Sequence, residues 1–327
     1  MNKSKHHLDD FTNNNQDKEI PKYYGEALCK IARSDKNVVA LCADVAPPTE
    51  TDIFKNEFQD RFYNTGISEA NMIGLSSGMS RMGDIPFVHS FCVFITRRAY
   101  DQVAMQISYP KTNVKLIGFL PGVTTMLGVS HQAIDDIALM RALPNMCIIE
   151  PSGPEQIESA TQAIYEYSGP VYMRLNRANK IINSNSDLKP LNIGKVDVLL
   201  QHGKDLAIFA CGLMVNKAIE AANRLESIGV NITVVNVSTL KPINDHTICD
   251  IAKECGCVLT AENHSVIGGL GDAINNYLTE NQVNVLFKKI GLQDIFAQGA
   301  STDYLLRKYN MDVDDIFNNS LKLIEMK

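Results

Sequence analysis

Short apolar runs alternate along this chain with stretches in which apolar residues recur every three or four positions. The alternation begins near Lys22. Asn37–Cys42 (Asn-Val-Val-Ala-Leu-Cys) predicts a short buried strand, and Ser68–Met82 predicts a helix ended by Gly83-Asp84. Pro86–Phe91 then reads as strand, Thr96–Ser108 as helix and Val114–Gly118 as strand. Gly122–His131 reads as loop. Gln132–Arg141 is helical, Met146–Glu150 strand, Pro154–Tyr165 helix and Val171–Leu175 strand. Helices of this length between strands imply βαβ crossovers and a parallel sheet.

Residues 178–192 break the pattern. Lys180-Ile-Ile-Asn-Ser-Asn-Ser-Asp-Leu-Lys-Pro is polar and turn-rich, the composition of a linker. A second alternation follows. Leu206–Ala210 reads as strand, and Val215, Ala218, Ile219, Ala222 and Leu225 recur at helical spacing. Asn231–Val237 is a strand rich in β-branched residues. Val258–Ala261, a helix after Gly271 and the strand Asn284–Ile290 complete the series. Strands that are apolar throughout suit parallel sheets covered on both faces. The expected architecture is α/β in two domains, residues 20–184 and 185–327, preceded by a polar tail over 1–19.

With 327 residues the chain can bury two cores. A net charge of −6 argues against a nucleic-acid surface. No apolar run reaches membrane-spanning length. Residues 1–18 are polar and charged with no apolar centre, so no secretory leader is expected, and His6-His7 reads as part of a solvated tail. The eight cysteines lack zinc spacing and sit mostly inside apolar runs, as buried free thiols do. Cys255-Gly-Cys257 reads as two such thiols before it reads as a redox pair. These features point to a reduced, cytoplasmic setting.

Three segments carry candidate chemistry. Phe62-Tyr63-Asn64-Thr65-Gly66-Ile67-Ser68-Glu69-Ala70-Asn71-Met72 places an acid where an apolar run gives way to a helical one. Phe91-Cys92-Val93-Phe94 precedes Arg97-Arg98-Ala99-Tyr100-Asp101-Gln102. His131 ends a glycine-bearing loop, Gly128-Val129-Ser130-His131. In this order and spacing the segments resemble the C-terminal section of a split transketolase. Such a section is a thiamine-diphosphate pyrimidine-binding domain followed by a smaller transketolase-type C-terminal domain. The match runs from about Tyr24 to Leu321. The Gly-Asp-Gly motif and following Asn of the family's diphosphate-binding domain are not found in the chain.

The resemblance implies roles. Glu69 pairs with a ring nitrogen of the aminopyrimidine, which favours the imino tautomer that acts as an internal base. By itself Glu69 reads first as a first-turn acid favoured by the helix dipole, and the surrounding motif reverses that order. Phe94 matches the ring-stacking position and Phe91 its neighbour, although both could be core. Asp44, ending Leu41-Cys42-Ala43-Asp44, matches a family cofactor-site acid at a strand's C-terminal end. His131 matches a substrate-contacting, proton-relaying histidine. Arg177 matches an arginine that grips the sugar phosphate, with Arg174 the adjacent candidate and Lys22 a further basic position. His264, before Gly268-Gly269-Leu270-Gly271, resembles a C-terminal-domain motif. Those glycines could admit an anion to a helix N-terminus, or simply make a tight strand–helix turn.

Departures from the family pattern matter too. Leu127 stands where an Asp recognises the donor's hydroxyls, and Phe119 where another substrate-contacting His is common. A pocket lacking both contacts is expected to read a non-standard ketose phosphate. The resemblance implies two-carbon ketol transfer between sugar phosphates. It also implies a separate N-terminal subunit holding the diphosphate and most of the magnesium ligation, and an α2β2 assembly. A deoxyxylulose-phosphate-synthase-like enzyme, a 2-oxoacid dehydrogenase β-like enzyme and a non-catalytic assembly subunit remain as alternatives.

Overall fold

The computed structural model describes residues 22–176 and 189–327. The polar tail, Arg177 and most of the expected linker, including the division at 184/185, lie outside the described residues. The strands in chain order are β1 (Val38–Cys42), β2 (Phe62–Asn64), β3 (Ile85–Phe91), β4 (Lys115–Phe119), β5 (Cys147–Ile149), β6 (Val171–Leu175), β7 (Asp197–Gln201), β8 (Ala207–Ala210), β9 (Thr233–Asn236), β10 (Thr239–Lys241), β11 (Cys257–Ser265) and β12 (Leu286–Leu292). The α-helices are α1 (Tyr23–Ser34), α2 (Thr51–Glu57), α3 (Glu69–Arg81), α4 (Tyr100–Gln102), α5 (Asp136–Ala142), α6 (Pro154–Glu166), α7 (Met214–Glu226), α8 (Thr247–Cys255), α9 (Leu270–Glu280), α10 (Thr302–Lys308) and α11 (Val313–Glu325).

One sheet has the order β10-β5-β6-β4-β3-β1-β2 and the other β12-β11-β8-β9-β7. Every pairing in the first is parallel except β10 on β5, and every pairing in the second except β7 on β9. The inner strands β1, β4, β6, β8 and β9 are buried at every position. Their largely apolar character is what a sheet covered by helices on both faces requires, and the charged exceptions, Lys115 on β4 and Arg174 on β6, are buried with hydrogen-bond partners.

Three departures from the expected elements have physical causes. The strand expected to end at Ala261 continues through Ser265, because Glu262, Asn263 and His264 are polar yet buried. The regular helix expected over Thr96–Ser108 is two wide π turns, Phe94–Arg98 and Val103–Ser108, around the short α4. The helix expected from Gln132 begins only at Asp136, since Ala133 bridges to Pro121 and Gly122 instead.

The two halves are locked at their junction. β10 caps the edge of the first sheet from within the second half, and Lys241 Nζ donates to the carbonyls of Arg141 and Leu143 at the end of α5. Beneath this edge lies Arg174, wholly buried on β6. Its Nε and Nη2 fork onto Asp136 at 2.8 and 3.1 Å, and Nη1 donates to Glu150 at 2.8 Å. Nη2 also reaches the Asn263 carbonyl of β11 at 3.2 Å. Tyr172 donates to Asp136 at 2.6 Å. Burial favours the neutral acid at Asp136, but Arg174, His264 and these hydrogen bonds outweigh it and hold the carboxyl below its ordinary range. Removing one partner from such a network strands the others without water. Arg174→Met is expected to lose about 3–5 kcal/mol of stability in urea denaturation. Adding Asp136→Asn and Glu150→Gln is expected to recover part of that loss.

Candidate functional site

The C-terminal ends of β1 to β4 converge on one edge of the first sheet, where ligands of open α/β folds bind. Glu69 is the first residue of α3, and its side chain is turned inward and only 2% exposed. Both of its carboxylate oxygens accept from Arg98 Nη1, at 2.9 and 3.1 Å. A buried carboxylate needs such a partner to stay charged.

Arg98 ends the π turn that begins at Phe94, and its guanidinium carbon lies 4.0 Å from the centre of the Phe94 ring. The His131 ring meets Phe94 edge-on at 5.1 Å, and Phe91 lies 6.0 Å from Phe94 and 6.2 Å from His131. Glu69, Phe91, Phe94 and His131, from three separate segments, therefore share one cluster. Its aromatic walls and single buried carboxylate suit a flat, nitrogen-bearing ring. Such π turns are frequent at functional sites, where one extra residue per turn re-aims side chains.

His131 hydrogen-bonds Ser130 Oγ through Nδ1 at 2.9 Å. Its loop is shaped from the second half of the chain. Asn263 accepts from the Val123 amide at 3.0 Å and donates to the Pro121 carbonyl at 3.0 Å. Gly122 there has φ +56°, and a Cβ would fall 2.2 Å from the Asn263 carbonyl oxygen, so only glycine fits. At the loop's far end Gln132 donates to the Gln298 carbonyl, and Arg97 forks onto Asp135.

Asp44 stands beside this edge with φ +59°, a conformation that Asp tolerates better than most residues. Its amide donates to Asn64 Oδ1 at 3.1 Å and its Oδ1 accepts from Asn64 Nδ2 at 3.0 Å. This mutual pair ties the end of β1 to the end of β2 and leaves Asp44 exposed.

The other expected residues lie elsewhere. Arg174, expected as a candidate grip for the sugar phosphate, is instead paired with Asp136 and Glu150, and with no exposed surface it cannot meet a phosphate. Lys22 is ion-paired with Asp52. Phe119 is buried against Tyr24, edge-on at 5.7 Å, so it belongs to the core and does not line a pocket. Behind it His89 accepts from the Tyr24 hydroxyl at 2.7 Å and donates to the Leu41 carbonyl, and burial pushes its pKa down to about 4.

The anion at the N-terminus of α9 is the chain's own Glu262, which accepts from the amides of Leu270 and Gly271 at 2.7 and 2.9 Å. Burial raises Glu262 to about 7, and those two amides oppose the rise. His264 is fully buried, and burial pushes it down to about 4. The eight cysteines are free and buried. No helix among the described residues is long and apolar enough to cross a membrane.

Comparison with known proteins agrees with this layout. Residues 17–180 match the transketolase pyrimidine binding domain and residues 194–316 the transketolase C-terminal domain. The chain belongs to the transketolase family. The 6-deoxy-6-sulfo-D-fructose transketolase subunit of Clostridium sp. (strain MSTE9) is 38% identical over 93% of this chain and 94% of its own length. An apulose-4-phosphate transketolase subunit of Phocaeicola vulgatus is 31% identical over 93% of this chain and 97% of its own. A solved structure described as a split gene transketolase, an inactive beta4 tetramer, superimposes with a TM-score of 0.84 at 38% identity, covering 94% of this chain and 98% of that one.

In this transketolase-family chain Arg98, Asn64 and Asn263 shape the site without a role that their sequence context assigns. Arg98 carried a signal, since it follows Phe94 by four residues and such pairs share a helical face. Asn263 carried none, lying about 140 residues from the loop it pins. Asn263→Ala would leave the Val123 amide and the Pro121 carbonyl buried and unpaired, at about 1–3 kcal/mol for such a group. Faster hydrogen exchange at Val123 is the expected outcome, and unchanged exchange would show that the loop is held by other contacts.

Proposed function

We propose that this chain is the ring-binding half of a thiamine-diphosphate-dependent transketolase that moves a two-carbon ketol unit between sugar phosphates. The observation that carries this reading is a buried carboxylate, Glu69, facing an aromatic cluster of Phe94, Phe91 and His131. The residues fit the cofactor's aminopyrimidine, because a flat nitrogenous cation, the Arg98 guanidinium, already rests on Phe94 while bonded to Glu69. When bound, the cofactor would supply the electron sink for carbon–carbon bond cleavage.

The side chains divide the remaining work. Glu69 holds a proton at a ring nitrogen, Phe94 and Phe91 exclude water from the ring faces, and Asp44 closes the cofactor site at the ends of β1 and β2. His131 is placed to hydrogen-bond a hydroxyl or carbonyl oxygen of the donor. Arg177 is the proposed phosphate grip.

The magnesium and diphosphate are assigned to a separate N-terminal subunit. The sequence has no Gly-Asp-Gly segment, the motif of the family's diphosphate-binding domain. Two copies of each chain form the proposed assembly, in the cytoplasm.

The donor is a modified ketose phosphate. Leu127 is 63% exposed between the exposed Met126 and Val129, so the loop offers an apolar lip where a carboxylate would bind hydroxyls. The relatives from Clostridium and Phocaeicola carry names of transketolases for such modified sugars.

The test combines this chain with a co-expressed polypeptide bearing the Gly-Asp-Gly motif, thiamine diphosphate, magnesium and a panel of ketose phosphates. Two-carbon transfer is expected only with both chains present, and transfer or micromolar cofactor binding by this chain alone would sink the proposal. Glu69→Gln is expected to cut turnover about 100-fold or more while the complex stays folded. Undiminished turnover in that variant would remove Glu69 from the chemistry.

A further inference from the structure

The guanidinium of Arg98 makes the same two contacts that a flat heteroaromatic ring would make here. It lies within stacking distance of the Phe94 ring, 4.0 Å from its centre. It also donates to both oxygens of Glu69. Yet Arg98 is not locked in place, since its side chain is 46% exposed, in contrast to Glu69 at 1%. No hydrogen bond holds the guanidinium other than those to Glu69 among the described residues. Arg174 shows the opposite design, with no exposure and partners on several elements.

A mobile cation on a long stem, held by one carboxylate and one ring face, can leave by rotating into solvent. While it stays, Glu69 is not a buried, unpaired charge, and the aromatic face is not open to water. We propose that Arg98 is a placeholder for the cofactor ring: it occupies the ring's seat on Phe94 and Glu69 in the unpartnered chain, and swings outward as the ring enters. This rests on the thiamine-diphosphate reading above.

The placeholder sets the cofactor's apparent affinity. Each ring that binds must first displace an ion pair and a cation–π contact, both partly exposed. The unpartnered chain, which lacks a diphosphate site in this reading, has nothing to offset that displacement. The seat therefore stays filled until the partner subunit binds the other end of the cofactor.

The experiment is calorimetric titration of the two-chain complex with thiamine diphosphate and magnesium, comparing wild type, Arg98→Met and Arg98→Lys. Inorganic pyrophosphate, which has no ring, is titrated in parallel. Arg98→Met is expected to bind thiamine diphosphate about tenfold more tightly, the combined strength of a half-exposed ion pair and a cation–π contact. Arg98→Lys, a cation without a flat face, is expected to fall between the two, and it tests the idea even if the methionine variant folds poorly. Pyrophosphate is expected to bind all three forms alike.

If the variants bind the cofactor no better than wild type, or more weakly, Arg98 is not a placeholder and stays beside the ring. An equal gain for pyrophosphate would trace the effect to bulk charge and overturn the idea. A wild-type complex that binds pyrophosphate but no thiamine diphosphate would remove the cofactor reading itself, and the placeholder with it.

Discussion

Arg174 carries a full charge into a space that admits no water, and the architecture of the junction follows from the need to neutralise it. Asp136 is supplied by α5, Glu150 by the turn after β5, and a carbonyl by Asn263 on β11. A network of this kind is satisfied completely or destabilises the protein, because a half-paired charge in low dielectric is worse than an apolar core. The two halves of the chain therefore cannot be displaced relative to one another without exposing it. That rigidity reaches the candidate site through Asn263, whose backbone serves Arg174 and whose side chain fixes the start of the His131 loop. One residue thus joins the structural charge network to the functional edge.

The sheets were legible because their inner strands are mostly apolar runs, as two-sided burial requires, with Lys115 and Arg174 as buried exceptions inside β4 and β6. Legibility failed where polar residues are buried. Glu262, Asn263 and His264 continue β11, yet nothing in their composition distinguishes them from a loop. β10 was invisible for a related reason: three residues between Ser238 and Pro242 are too short for a period to show. The π turns around α4 differ from an α-helix by one residue per turn, below what spacing resolves.

At the site, local motifs pointed to Glu69, Phe91, Phe94 and His131, and the fold brings all four into one cluster. Each is read from its own neighbours in sequence, and convergence of strand ends on one edge does the rest. Arginines were harder. Arg98 and Arg174 both sit where a basic residue meets an anion, but which anion depends on burial. Residue type cannot separate a guanidinium that grips a ligand from one that neutralises its own protein. Three-dimensional exposure separates them at once: Arg174 is sealed and Arg98 is half open.

The placement of β10 has a consequence for the making of the protein. The first sheet contains β5, whose outer edge is covered only by a strand roughly sixty residues further along the chain than β6. During synthesis on a ribosome, β1 to β6 emerge and can pair long before that cover exists. For this interval the nascent chain presents an open strand edge, the feature through which unfinished β proteins pair with the wrong neighbour. Completion of the first sheet therefore waits on translation of the second, and a message truncated between them would yield a sheet with an unguarded side.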